Sequence, residues 1–525
     1  MKWEILGKGD VLKTLLKNRG IKNSKEFFEP KFPESPKLNY KKAIDRLKLA
    51  KKNKEGVIVY GDYDADGICA TAIIWEALHE YGLDVLPHIP DRFSEGYGLN
   101  PESVQNLKLK INNLKLIVTV DNGIVAYKGI KKAKELGIDV IVIDHHQPGN
   151  KPNSAFCILH STLVSGSALA YFFAKELGFK SGLELAAIGT IADQMPLIGV
   201  NRSIVKYGLE DLNHTNRIGL QTLFKDSKVE KIGTYEVNYI IAPRINAMGR
   251  VANGLDSLRL LCTKKLDKAK ELSSLVNKTN LDRQKIVDEV IIHARRNVGN
   301  QKIIVLSDAS YHEGVIGLAA GKIVEEFYRP TIVISKGKEI SKASARSISG
   351  FDIISSIRNV SDLIIEGGGH PMAAGFSIKT SKIEIFTKKI NDISDKLLTN
   401  ELLERKLKID LELDFKQINQ ELHKIIESFS PTGLGNPTPT FVSHKIEIMN
   451  VRMVGVSNKH IKLKLKQGEQ VFDAIYFGGG QFYPDLKTGT KMDVIYSIEE
   501  NIWNNHKSLQ LKIKDIKPLN HEHRR

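Results

Sequence analysis

Cysteine is scarce in this chain: Cys69, Cys157 and Cys262 are the only three in 525 residues. They are scattered, odd in number and form no CxxC pair. That excludes a disulfide frame and points to a reducing compartment. No apolar run approaches the roughly 18 residues of a membrane span. The opening Met1-Lys2-Trp3-Glu4 starts no signal-peptide core. A cytoplasmic protein with no membrane contact is expected. Internal repeats and low-complexity tracts are absent too. Acids are in deficit: 61 Asp and Glu face 77 Lys and Arg, a formal net charge of +16. A basic soluble protein of this kind points to a polyanionic partner, most often nucleic acid. What the chain does have is length and 42% apolar residues. That is too much for one core, and about three domains are expected.

The hydrophobic pattern predicts an α/β multidomain protein. Residues 1–45 read as an N-terminal helical lead-in. Over 46–225 strands and helices alternate, which predicts a parallel-sheet domain. Residues 226–298 carry apolar positions at helical spacing and predict a helical bridge. A second α/β domain follows over 299–398, with strands at Ile303–Leu306 and Thr331–Ile334 around a glycine-rich helix start. From 399 to 525 the pattern turns to alternation. Ile461-Lys462-Leu463-Lys464-Leu465-Lys466 has one apolar and one basic face, and short strands with Gly turns predict an OB-type β-barrel.

Three β-branched runs end in acid. Val57–Tyr60 runs into Gly61-Asp62-Tyr63-Asp64-Ala65-Asp66-Gly67, Leu116–Val120 into Asp121-Asn122-Gly123, and Val140–Ile143 into Asp144-His145-His146. Buried parallel strands look like this, and ligands of open α/β sheets sit beyond the strands' carboxyl ends. Five aspartates and two histidines therefore meet in one crevice. So many carboxylates do not ionise side by side without cations. Two divalent ions roughly 3.5–4 Å apart suit displacement at phosphorus. Asp64, Asp66 and His145 are the candidate ligands, with Asp121 placed to bridge. The imidazole favours Mn²⁺ over Mg²⁺. His146 is better cast as a contact to the scissile phosphate or leaving group. Asp62 either orients the site or is itself a ligand, and Asp144 orients His145 or closes the strand.

These motifs resemble the DHH phosphoesterase superfamily and, within it, the bacterial RecJ exonuclease family. The likeness runs over nearly the whole chain. Gly189-Thr190-Ile191-Ala192-Asp193-Gln194-Met195-Pro196-Leu197 is similar to the superfamily's fourth motif, which implies that Asp193 is a metal ligand. Ala242–Arg250 is similar to a RecJ signature. Ser344-Ala345-Arg346-Ser347 and Gly367-Gly368-Gly369-His370 resemble a DHHA1 domain facing the DHH domain across a cleft. Pro431–Pro437 resembles the start of the RecJ OB domain. Pyrophosphate-cleaving relatives carry a His where this chain has Tyr60, so that activity is not expected. Ser165-Gly166-Ser167-Ala168 replaces a more usual Gly-Ala-Gly-like turn, with little consequence expected.

The resemblance implies a metal-dependent 5′-to-3′ exonuclease acting on single-stranded DNA in recombination and repair, with two divalent ions. It places Arg92, Ser344 and Arg346 in a pocket for a 5′-terminal phosphate, which a planar guanidinium binds well. Tyr97 is expected to stack on a base or wedge the strand. Arg244 and Arg250 are expected to track the backbone, and His370 to reach the phosphate. The barrel would hold the strand through Lys462, Lys464 and Lys466 and through Phe472, Tyr476 and Trp503. The domains would enclose a channel too narrow for duplex. A helicase and a single-strand binding protein are implied co-workers, and a monomer is expected. Two other classes compete. A phosphodiesterase of short RNA oligomers or cyclic dinucleotides would lack the OB domain. A non-catalytic replication scaffold would have lost metal ligands, all of which are present.

Overall fold

The computed structural model of the chain describes residues 1–503 and 506–519. The chain divides into two compact units: Met1–Pro33 with Gln194–Lys206 and Lys406–Arg525, and Glu34–Asp193 with Tyr207–Arg405.

The larger unit holds two sheets. In the first, five parallel strands run in the order Asp84–His88, Gly56–Tyr60, Leu114–Val120, Asp139–Asp144, Cys157–His160. The central strands are buried on both faces, as parallel strands covered by helices must be. Ile58, Tyr60, Ile117, Val140 and Val142 pack toward helices Pro101–Lys110 and Tyr127–Glu135. Each such side chain contributes roughly 1.5–3 kcal/mol of burial. After Gly56–Tyr60 the chain builds Asp84–His88 on one side. It then crosses to Leu114–Val120 on the other. This is the topological switch point at which a crevice opens beyond the strand ends. Tyr60 is fully buried and its hydroxyl donates to the Gly98 carbonyl (3.2 Å), so it belongs to the core.

The second sheet is mixed. Ile304–Asp308 and Thr331–Ser335 are parallel around helix Ile316–Phe327. Ile340–Arg346, Ala373–Lys379 and Ile364–His370 then add in antiparallel fashion. The Gly367–His370 segment is thus an exposed edge strand. Between the sheets lie helices Leu255–Cys262 and Leu266–Asn297 and a continuous helical run from Thr234 to Val251.

In the smaller unit five strands close into a barrel: Phe441–Val454, His460–Gln467, Gln470–Tyr476, Lys491–Trp503 and His506–Pro518. Pairing of the first with the fourth completes the ring. Residues 1–45 are not the purely helical lead-in expected. Lys2–Gly7 is a strand, parallel to Lys406–Glu412, that extends the barrel sheet. Its partner lies in the last quarter of the chain, far from it in sequence, so local sequence carries no sign of the pairing. Arg202 fastens this unit internally. Its buried guanidinium donates to the carbonyls of Phe27 (2.7 Å), Phe429 (3.0 Å), Ser430 (2.8 Å) and Pro431 (3.1 Å). Two further expectations fail here. Phe472 packs on Phe415, and Tyr476 is 8% exposed. Strand alternation turns both rings into the barrel interior, so they offer no stacking surface. The Trp503 side chain lies outside the described residues.

Candidate metal centre and phosphate pocket

All the predicted ligands converge at the switch point. Asp64 is the N-cap of helix Ala65–Glu80, accepting from the Gly67 N–H at 3.0 Å. Asp66 lies in that helix's first turn rather than in the loop, 2% exposed, and accepts the N–H groups of Gly166 (2.7 Å) and Ser167 (3.0 Å). Asp121 leaves its strand at φ 60°, a left-handed conformation costly for a non-glycine residue. The fixed turn aims its carboxylate inward. Asp193 is the C-cap of helix Leu183–Ala192. A carboxylate there meets the negative end of the helix dipole, so capping does not explain it.

Ligand atoms of Asp121, His145 and His146 lie within 4.8 Å of one another. The same holds for Asp66, His145 and Asp193, and for Asp62, Asp64 and Asp121. His145 Nε2 stands 3.1 Å from Asp121 Oδ1, 3.7 Å from Asp193 Oδ2 and 3.9 Å from Asp66 Oδ2. By distance these are ion pairs, yet burial lowers the His145 pKa and keeps the ring neutral. A neutral imidazole is a metal ligand, not a countercharge. Asp121 Oδ1 is buried without a hydrogen-bond donor. Burial, then the neighbouring carboxylates Asp66, Asp64, Asp62 and Asp193, push the Asp121 carboxyl well above its ordinary range. Burial and Asp64 do the same to Asp62, and burial and Asp66 raise the Asp64 carboxyl. Burial and Asp66 push Asp193 up to about 8.

Asp144 corrects one expectation. It orients His146, not His145: Asp144 Oδ1 meets His146 Nδ1 at 2.8 Å and also accepts the His146 N–H at 3.1 Å. Consecutive residues leaving a strand point opposite ways, so one carboxylate does not serve both rings. Burial alone would depress the His146 pKa, but the Asp144 hydrogen bond and charge raise it to about 9. His146 Nε2 is left facing Tyr97, whose hydroxyl is 3.4 Å away. Tyr97 therefore stands at the metal centre itself.

Three glycines of the quoted motifs, Gly67, Gly166 and Gly189, form the back wall. A Cβ at Gly67 would lie 2.5 Å from Asp62 Cβ, at Gly166 2.5 Å from Asp121 Oδ1, and at Gly189 2.1 Å from Asp66 Oδ1. The Ser165–Ser167 turn is thus part of the site: its amides hold Asp66, and Ser165 Oγ pairs with Thr190 Oγ1 at 3.1 Å. Asn246 was also missed. Its Oδ1 accepts the Ala65 N–H at 2.7 Å and ties helix Ala242–Val251 to the metal loop.

A cationic pocket adjoins. Arg92 lies over the ring of Tyr63, the residue between Asp62 and Asp64, at 4.2 Å. Ser344 and Arg346 share one face of their strand. A Cβ at Gly317, in the first turn of helix Ile316–Phe327, would sit 3.0 Å from Ser344 Oγ and 3.2 Å from Arg346 Nη2. The Arg250 pKa falls to about 10 through burial and through the charges of Arg92, Arg283 and Arg346. Crowded guanidiniums beside a helix N-terminus form a site for an anion. Arg244 stands apart, bonded to Asn277 Oδ1 (2.6 Å) and the Ile240 carbonyl (2.7 Å). His370 ends the exposed edge strand.

Family models match three stretches: the DHH family N-terminal domain at residues 56–194, the DHHA1 domain at 300–396 and the RecJ OB domain at 409–515. The chain is 31% identical to the single-stranded-DNA-specific exonuclease RecJ of Haemophilus influenzae, over 97% of this chain and 96% of that one. The chain belongs to the RecJ family. It is 36% identical to the Bacillus subtilis RecJ over 90% of its own length but spans only 63% of that relative. The fold superposes on Thermus thermophilus RecJ in complex with Mn²⁺ at a TM-score of 0.85 and 27% identity. That match covers 98% of this chain and 79% of the other. A second structure of the Thermus RecJ contains Mg²⁺.

The donors here fit such ions on their own chemistry. They are carboxylates and a neutral imidazole, with one buried oxygen lacking any donor. A stability test follows from the raised carboxyl pKa values. Without metal, folding favours the protonated acids, so their contribution is complete below the ordinary carboxylate pKa near 4 and is lost as pH rises through about 8 at Asp193. Chelator-stripped protein is expected to lose melting temperature between pH 5 and pH 8 relative to protein with Mn²⁺. A hundredfold excess of metal over its Kd adds about 2.7 kcal/mol. Equal pH dependence with and without Mn²⁺ would contradict this account of the cluster.

Proposed function

We propose that this chain is a metal-dependent exonuclease that shortens single-stranded DNA from its 5′ end, working in recombination and repair. The observation that carries the reading is the adjacency of the two sites: Arg92 of the cationic pocket lies on Tyr63, the residue between Asp62 and Asp64. A terminal phosphate held by Arg92, Arg250, Ser344 and Arg346 presents the next phosphodiester to the acidic centre. The products are short, and the reaction starts at an end.

Asp64, Asp66, Asp121, His145 and Asp193 would hold two divalent ions, Mn²⁺ in preference to Mg²⁺, and Asp62 is close enough to Asp64 and Asp121 to join them. Bound there, such ions supply an activated water and neutralise charge on the phosphoryl oxygens. The chain's own groups do the rest. His146 keeps a proton on Nε2, backed by Asp144, and stabilises charge at the phosphate or leaving oxygen. Tyr97 adds a hydroxyl beside it. Arg244 and His370 extend contact along the strand. The RecJ OB domain match favours this reading over an oligonucleotide phosphodiesterase. Lys462, Lys464 and Lys466 line one barrel face, although Lys464 is paired with Asp473 and Lys466 with Glu447 across strands. Three unpaired cysteines suit a reducing cytoplasm. A helicase and a single-strand binding protein are the natural co-workers, and one chain carries the full set of site residues.

The test is digestion of end-labelled single strands with Mn²⁺, beside the matching duplex and a short RNA. Release from the 5′ end of single-stranded DNA supports the reading; cleavage of short RNA alone overturns it. Arg346→Ala should reduce the preference for a 5′-phosphorylated end by about 10- to 100-fold in kcat/KM, the worth of one charge-assisted bond. An unchanged preference removes Arg346 from the pocket.

A further inference from the structure

The loop after strand Asp84–His88 carries two residues of the site. Arg92 lies over the Tyr63 ring, and the Tyr97 hydroxyl stands 3.4 Å from His146 Nε2 and 3.5 Å from the Asp121 carbonyl oxygen. From Ile89 to Asn100 the chain is neither helix nor strand, so no ladder of backbone bonds fixes its shape. Gly96 (φ 79°) and Gly98 (φ 74°) turn the backbone on either side of Tyr97, and nothing stands within 4 Å of a Cβ at either. A loop of this kind takes its shape from the bonds its own side chains make.

Glu95 stands between Arg92 and Tyr97 and belongs to neither the phosphate pocket nor the acidic cluster. Its carboxylate meets three partners. Oε2 accepts from His88 Nε2 at 3.0 Å, at the end of the edge strand, and from Ser103 Oγ at 2.8 Å, in helix Pro101–Lys110. Oε1 accepts the Asp91 N–H at 3.2 Å. The Glu95 backbone is held too: its N–H donates to the Asp91 carbonyl (2.9 Å), and its carbonyl accepts from Asn100 Nδ2 (2.8 Å). Burial alone would raise the Glu95 pKa, but the His88 and Ser103 hydrogen bonds outweigh it and bring it down to about 2. The tether is therefore charged, and charge-assisted bonds are roughly twice as strong as neutral ones.

The far side of the tether reaches the metal loop. The His88 ring packs on Tyr60 with centroids 5.0 Å apart, and the His88 carbonyl accepts the Gly61 N–H at 2.9 Å, where the chain turns toward Asp62 and Asp64. Tyr60 in turn donates to the Gly98 carbonyl, just past Tyr97. Glu95 thus ties the loop to the strand end from which the acids emerge. The span between a phosphate on Arg92 and a phosphodiester beside Tyr97 is set on both sides of this one carboxylate.

We propose that Glu95 is a positioning residue that fixes the span from the 5′-phosphate pocket to the metal centre, and with it the number of nucleotides released per cut. This rests on the nuclease reading and adds to it what sets the register of cleavage. A misplacement of about 1 Å costs up to about 100-fold in rate. Here it also brings a neighbouring phosphodiester to the metal centre, so product length changes with the rate.

The experiment digests paired 5′-phosphate and 5′-hydroxyl single strands with the full chain and Mn²⁺. It reads the length of the first product and the ratio of kcat/KM for the two ends. Both readings cancel the fraction of folded protein, so a variant that is merely less stable leaves them unmoved. Glu95→Ala should lower the preference for the phosphorylated end by about tenfold and change the first-product length. Glu95→Gln keeps the length of the side chain, and its amide still meets His88 in the other tautomer, so it should keep the parent's product length. Ser103→Ala removes one of the three bonds and should move both readings in the direction of Glu95→Ala, by a smaller factor. The Mn²⁺-induced rise in melting temperature should match the parent's in all three, since Glu95 is in none of the ligand groups. Parent-like readings in Glu95→Ala and Ser103→Ala, or a Glu95→Gln protein as altered as Glu95→Ala, would overturn the assignment. So would loss of the Mn²⁺ response, because the effect would then run through the metal centre. Should Glu95→Ala fail to fold, Ser103→Ala decides alone. The nuclease reading is judged separately, by whether the unaltered chain cleaves single-stranded DNA from its 5′ end.

Discussion

Asp121→Asn is expected to lower kcat on single-stranded DNA by about 10³-fold or more, which is roughly 4 kcal/mol of transition-state stabilisation. The substitution keeps the size of the side chain but removes charge from a carboxylate oxygen that is buried without a donor. Asp121 belongs to two of the three ligand groups, one with His145 and His146 and one with Asp62 and Asp64. No other carboxylate replaces it, because its position depends on a left-handed backbone at the strand end. Binding of the strand should change by only a few fold, since Arg92, Arg250 and Arg346 are untouched. The same variant should lose most of the Mn²⁺-induced rise in melting temperature. It should also be no less stable than the parent when metal-free at pH 8, because one of several mutually repelling charges is gone. Activity above a tenth of the parent's would remove Asp121 from the bridging position.

Gly189→Ala should do nearly as much damage from behind the site. The added methyl would lie 2.1 Å from Asp66 Oδ1 and 2.1 Å from Ser167 Oγ. Alanine in a helix interior normally stabilises by about 1 kcal/mol over glycine. Overpacking a buried site costs about 1–3 kcal/mol, so the steric effect wins. Asp66 also loses its alignment to the Gly166 and Ser167 amides. Disturbing groups that orient ligands typically costs 10- to 100-fold in metal affinity, and that range is expected for Mn²⁺ here. Gly321→Ala is the matched control, since nothing lies within 4 Å of its Cβ position in helix Ile316–Phe327. It should be neutral or mildly stabilising. A Gly189→Ala protein that binds Mn²⁺ like the parent would show that the back wall gives way freely.

The two variants differ in how visible their residues were. Asp121 was legible because it ends a β-branched run, and parallel strands place their carboxyl ends on one side of a sheet. The same logic exposed Asp64, Asp66 and His145. Asp193 became legible only through the resemblance, since an aspartate after a helical stretch resembles an ordinary terminus. Gly189 and Gly166 stood in quoted motifs, but what each glycine is for did not show there. A glycine's reason lies in the atoms that approach it, and those come from residues far away in the chain. Asp144 shows the same limit on a smaller scale. Its adjacency to both histidines left its partner open until the backbone direction fixed which ring it faced.

By itself the sequence determined what depends on neighbours along the chain: the buried strands, the alternation of the barrel, the acids at the strand ends and the basic balance. Tertiary structure alone decided the strand order that puts Gly56–Tyr60 beside Leu114–Val120. It also decided the pairing of Lys2–Gly7 with Lys406–Glu412, the inward turn of Phe472 and Tyr476, and the meeting of Arg92, Arg250 and Arg346. The physical reason is range. Periodicity and turn chemistry act over a few residues and leave a local trace. Register, close approach and the summed field of several charges act through space, between groups whose separation in sequence carries no record of their distance.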